Sequence, residues 1–133
     1  MRIAVILCTI LTLTGCTANR AMQSAFDKSI REYNRMLRWQ EFDLACNTYA
    51  AEEIRSECSS RLAKSGDITI VDTRLIEKHC NPEKREGTAT LQLDYYLLPS
   101  NRVKTVEYQQ SWNYYEELRG TGWWIKTPPP LFQ

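Results

Sequence analysis

Apolar positions fall into three regimes along the chain. Between Ile3 and Leu13 they are nearly continuous: Ile3, Ala4, Val5, Ile6, Leu7, Cys8, Ile10, Leu11 and Leu13. From Met22 to Leu62 they return every three or four residues. From Ile68 onward they alternate with polar residues. The first run is about eleven residues, against roughly 20 for a bilayer-spanning helix. It has the length of a secretory leader's apolar region, with Arg2 ahead of it, and stands apart from the fold.

The second regime predicts helices. Met22, Phe26, Ile30, Tyr33 and Leu37 lie at spacings of four, four, three and four, one stripe of an amphipathic helix from about Ala21 to Trp39. Phe42, Ala45, Cys46 and Tyr49 predict a short second helix. Ile54, Cys58 and Leu62 predict a third from about Ala51 to Lys64, which Gly66 ends.

The third regime predicts strands. Asp67 to His79 is rich in β-branched residues, with a slip in alternation between Val71 and Leu75 that implies a bulge. Residues 81–87 form a polar turn. Thr88 to Leu98 alternates cleanly, with Ala89, Leu91, Leu93, Tyr95 and Leu97 on one face and Asp94 on the other. A second strand runs from Val103 to Tyr114. After a turn from Glu116 to Gly122, a short last strand runs from Trp123 to Thr127 and stops at Pro128-Pro129-Pro130. Short polar turns imply antiparallel neighbours. The expected architecture is α+β, with N-terminal helices packed on a curved four-stranded antiparallel sheet.

The end of the leader gives the chain an address. Leu13-Thr14-Gly15-Cys16 resembles the lipobox of bacterial lipoproteins: a branched apolar residue, two small residues and a cysteine. The resemblance implies cleavage before Cys16 and acylation of its thiol and new amino group. The rival reading is an ordinary signal peptide cut elsewhere, or an N-terminal anchor helix. On the lipoprotein reading residues 1–15 are a signal peptide, 16–20 a lipidated tether and 21–133 a single domain. Several acyl chains hold a domain firmly at a membrane, where one holds it only reversibly. Thr17, rather than Asp, after the cysteine implies sorting to the outer membrane, facing the periplasm.

Of 17 Lys+Arg and 16 Asp+Glu, only Arg2 lies in the leader, so the remainder is charge-balanced. That argues against a nucleic-acid partner, which usually requires a basic excess. Five cysteines less Cys8 and Cys16 leave Cys46, Cys58 and Cys80. An oxidising compartment favours one disulfide. On one straight helix Cys46 and Cys58 would sit about 18 Å apart, too far to bridge. A turn near Asn47 to Ala50 brings them onto facing helices, and this pairing is the favoured one. The alternative is three reduced thiols acting as small apolar side chains.

The element order and aromatic placement resemble a small NTF2-like or cystatin-like domain over residues 21 to 127. The residues that carry the resemblance are Arg38-Trp39, Phe42, Gln110-Ser111-Trp112 and Trp123-Trp124-Ile125. It implies a sheet curled around the helices, with an open end able to hold a ligand or an active site. Tyr33, Trp39, Phe42, Tyr95, Tyr108, Trp112 and Trp123 are the candidate lining, with Gln110 as an inward amide that needs partners. The rival reading of the same residues is plain core packing.

No constellation specifies a reaction, and no catalytic residue, metal ligand or cofactor is expected. His79 and Cys80 are adjacent in a strand and point to opposite faces. Glu52-Glu53 and Glu116-Glu117 read as solvated surface. Asp27, Asp43 and Asp94 have no convincing partner for acid–base work. The expected function is a non-catalytic, membrane-anchored domain that binds an envelope protein or a small apolar ligand. The alternative is an NTF2-like ligand-binding protein or a degenerate isomerase- or dehydratase-type enzyme.

Overall fold

A computed structural model describes residues 2–64, 66–117 and 120–133, with side chains from residue 15 onward except that of Glu117. The side chains of Leu13 and Thr14, and residues 118–119 of the expected 116–122 turn, lie outside the described residues. The elements are α1 (Arg2–Arg38), α2 (Phe42–Tyr49), α3 (Glu52–Ala63), β1 (Ile68–Asn81), β2 (Glu86–Leu97), β3 (Lys104–Glu117) and β4 (Gly120–Ile125). The strands form an antiparallel meander in the order β1-β2-β3-β4. The fold is α+β, with three helices packed on an open four-stranded antiparallel sheet.

α1 buries the stripe its sequence sets out: Phe26, Ile30, Tyr33 and Leu37, with Met36 and Asn34 beside them. It differs from expectation at its start. Residues 16–20 are helical and continuous with the apolar run, where a tether was expected. Neither Pro nor a capping break lies between Leu13 and Met22, and the single glycine, Gly15, costs a helix only about 1 kcal/mol. At its other end Glu41 N donates to the Met36 carbonyl at 2.9 Å and Gln40 N to the Leu37 carbonyl at 3.1 Å, with Gln40 left-handed at φ 59°. This is the Schellman arrangement that commonly ends a helix.

Cys46 and Cys58 form a disulfide, with Cα atoms 5.8 Å apart. The turn that permits it is Ala50-Ala51. Ala50 bridges Ile125 in parallel, and Ala51 N donates to the Ile125 carbonyl at 2.9 Å. The α2–α3 corner is therefore seated on the outer edge of β4.

β1 carries two register shifts, between Ile70 and Asp72 and between Leu75 and Glu77. The slip in its alternation is thus resolved by two bulges. In β2, Ala89, Leu91, Leu93 and Tyr95 are buried against the helices, as alternation requires. Asp94 lies on the opposite face, where Arg74 reaches it at 2.6 and 3.0 Å and Thr105 Oγ1 donates to it at 2.6 Å. β4 begins three residues before the expected Trp123, so Gly120 and Gly122 lie within the strand.

After Ile125 the chain crosses back over the helix-side face of the sheet. Tyr108 Oη donates to the Thr127 carbonyl at 2.7 Å and Arg61 Nη1 to the Pro129 carbonyl at 2.9 Å. Phe132 meets Tyr95 edge-on at 5.0 Å, and Tyr95 Oη donates to the Gln133 carbonyl at 2.9 Å. Residues 127–133 therefore cover the β2–β3 end of the face that the helices leave open.

Candidate functional site

Three groups of residues can be built from these elements: Cys16 in the N-terminal half of α1, the aromatic interior, and a cleft where α3 meets β4.

Cys16 is an exposed free thiol on a helical segment, residues 15–21, that is exposed throughout. At 1.5 Å per residue it lies about 9 Å along α1 from Met22, where contact with the domain begins. There the Trp123 indole donates to the Met22 carbonyl at 3.0 Å. Among the described residues no helix is long and apolar enough to cross a membrane.

The aromatic interior packs on itself. Tyr33 and Trp112 meet edge-on at 5.6 Å, Phe26 and Trp123 pack tilted at 4.6 Å, and Tyr49 closes on Trp112 at 6.0 Å. The polar tips are absorbed internally. Gln110 Nε2 donates to Asn34 Oδ1 at 2.9 Å, and Trp112 Nε1 donates to Gln110 Oε1 at 3.2 Å. The Tyr108 hydroxyl, used as donor toward Thr127, accepts from Tyr33 at 3.1 Å. Burial pushes both phenols far above their ordinary range, so they stay neutral. Tyr33, Tyr95, Tyr108, Gln110, Trp112 and Trp123 are thus core residues; Trp123 also borders a recess of about 190 Å³ beside Tyr49. Phe42 is half-buried against this core. Trp39 departs most from its expected place. It is 64% exposed under the Arg38 guanidinium, because α1 ends at Arg38 and the left-handed Gln40 turns the chain outward.

The remaining single residues are held in local roles. Cys80 is half-buried, and burial together with the charge of Asp27 pushes its thiol upward, away from the reactive thiolate. His79 is exposed. Among the described residues no three His, Cys, Asp or Glu side chains group as metal ligands.

The cleft has no counterpart among the sequence expectations. It encloses about 400 Å³ between the start of α3 and the outer face of β4. Its floor is made by Trp124 and Tyr115. β3 and β4 pair Tyr115 with Gly122 and Asn113 with Trp124, so the two rings are diagonal neighbours on the face opposite the core. Gly120 and Gly122 share that face and carry no side chain. A Cβ at Gly122 would meet nothing within 4 Å. The cleft wall is polar: Asn47, Glu52, Glu53 and Arg55. Lys126 Nζ contacts Glu53 at 2.7 Å and the Tyr115 hydroxyl at 3.2 Å. This bond to Lys126 holds the Glu53 carboxyl below its usual value. Arg55 lies over Trp124 with its guanidinium carbon 5.8 Å from the ring centroid, and gives one N–H to the Ala50 carbonyl at 3.3 Å. Its Nε is buried without a hydrogen-bond partner among the described residues. Glu52 and Glu53 are both exposed, as expected, and they also line one side of this cleft. The sequence signal for the floor is Gly120-Thr121-Gly122-Trp123-Trp124: glycines two and four residues before a Trp clear one face of a strand around it.

Fold and cleft together define an α+β domain with an aromatic-floored, polar-walled recess and a separate exposed thiol within the N-terminal half of a long helix. Compared with family models, characterised proteins and solved structures, the chain matches none.

Proposed function

We propose that this protein is a lipid-anchored, periplasm-facing lipoprotein whose domain is a non-catalytic binding or envelope-accessory module. The observation that carries the reading is Leu13-Thr14-Gly15-Cys16 behind an apolar run too short to span a bilayer. The position of Cys16 supports it: the thiol is exposed and clear of the packed domain. Gly15 supports it as well, since cleavage requires the helix to open at this point and glycine lowers that cost by about 1 kcal/mol relative to alanine. Once cleaved and acylated, Cys16 would hold the domain on a helical spacer of about 9 Å. The domain offers a cleft for a ligand and, just beyond the end of α1, an exposed Trp39 for a protein partner. The NTF2-like or cystatin-like likeness of the element order is part of the same proposal and supports binding within a small α+β scaffold.

Metabolic labelling with an alkyne fatty acid tests the anchor. The wild-type chain is expected to take up label and fractionate with membranes, and Cys16→Ala to lose both. Label retained in Cys16→Ala would overturn the proposal.

A further inference from the structure

We propose that the α3–β4 cleft is a carbohydrate-binding subsite that takes one neutral or N-acetylated sugar ring; the inference deepens the binding-module reading and rests on it. On the floor, Trp124 and Tyr115 present aromatic surface on the outer sheet face, half-exposed, with bare glycine backbone beside them. The rings are partly buried, with Arg55 over Trp124 and Lys126 over Tyr115, and Gly122 beside them leaves space in which a Cβ would meet nothing within 4 Å; Gly120 is required by its positive φ of 134°. A sugar ring has one apolar face whose C–H bonds carry slight positive charge, suited to the negative face of an aromatic ring.

The walls decide among ligand classes. An anion would be drawn to Arg55 but would face the Glu52 carboxylate, the charges of Glu53 and Lys126 offsetting each other. A cation would find Glu53 already paired with Lys126 and would face Arg55. A wholly apolar ligand would leave the charged wall desolvated, which costs more than the floor returns. A neutral polyhydroxyl ring avoids all three penalties. Its hydroxyls both donate and accept, so one ring can meet the Asn47 amide, the Glu53 carboxylate and the Arg55 guanidinium together. About 400 Å³ lies in the range of small-molecule sites.

The test is tryptophan fluorescence of the purified full chain titrated with three probes: an N-acetylglucosamine tetramer, a glucose tetramer and inorganic phosphate. Saturable quenching by a sugar is expected below about 10 mM. Trp124→Ala should weaken it at least tenfold. Tyr115→Thr is the second variant, because Tyr115 lines the cleft from the outer sheet face and threonine suits a strand, so the fold is retained while half of the floor is lost. It too should weaken binding at least tenfold with an unchanged melting temperature. Quenching by neither sugar, quenching by phosphate alone, or sugar binding that survives both variants would each overturn the proposal. Cys16→Ala, titrated in parallel, should bind sugar as the wild type does, so failure of the anchor and failure of the cleft are read separately.

Discussion

Gly87 shows how closely single residues are fitted in the core. A Cβ there would collide with the Phe26 ring, which packs against the start of β2. Gly87→Ala is therefore expected to destabilise the fold by about 1–3 kcal/mol, the usual range for overpacking. Urea denaturation measures this, and combining it with Phe26→Leu should cost less than the sum of the two changes. Arg85 gives the opposite case. It sits left-handed at φ 56° in the β1–β2 turn, with an exposed 3.7 Å ion pair to Glu116. Such a pair contributes little. Arg85→Gly should stabilise by about 0.5–1 kcal/mol in the same assay, since glycine adopts this conformation without a Cβ penalty. In the core, Asn34→Ala would leave the Gln110 Nε2 unpaired at a site that is 1% exposed, a loss of about 1–3 kcal/mol.

At the scale of elements, the disulfide and the sheet's outer face make separate demands. The Cys46–Cys58 bond closes a loop of sequence separation 12 between α2 and α3. Loop closure of this size is worth about 3 kcal/mol, so Cys46→Ala with Cys58→Ala should lower stability by roughly that amount. A wild-type denaturation midpoint unmoved by reductant would contradict it. On the outer face, Asp72 and Asp94 lie opposite each other across β1 and β2, with Arg74 between them. The hydrogen bonds from Arg74 and then Thr105 hold the Asp94 carboxyl down to about 2. A folded-state value below the ordinary one means that this contribution is present above about pH 4 and is lost as pH falls toward 2. Asp94→Asn should flatten the acid limb of a stability–pH profile over that interval. Helix and strand identity were legible because Phe26, Ile30, Tyr33 and Leu37, then Ala89, Leu91, Leu93 and Tyr95, keep strict periods. The boundaries were less so. The start of α1 depends on the helical run ahead of it, and the start of β4 on glycines that normally signal a turn.

At the scale of the molecule, burial distinguishes a ligand cavity from a core. Sequence alone set Tyr33, Trp112 and Tyr108 inside, but could not say whether they face space or each other. That depends on the tail, which folds back through Thr127, Pro129 and Phe132 onto Arg61, Tyr108 and Tyr95. The cleft escaped sequence reading for a related reason. Its floor comes from β3 and β4 and its wall from α3, and they meet only because Ala50-Ala51 docks on Ile125. The proposed lipidation of Cys16, by contrast, rests on local sequence rather than on packing. The lipoprotein proposal therefore depends most on the state of the N-terminus. Intact-mass analysis of the protein purified from bacterial membranes, with sequencing of its first peptide, tests this directly. The expected result is a chain that begins at Cys16 and carries acyl chains on its sulfur and amino group. A chain that begins elsewhere, or a Cys16 that reacts as a free thiol, would contradict it.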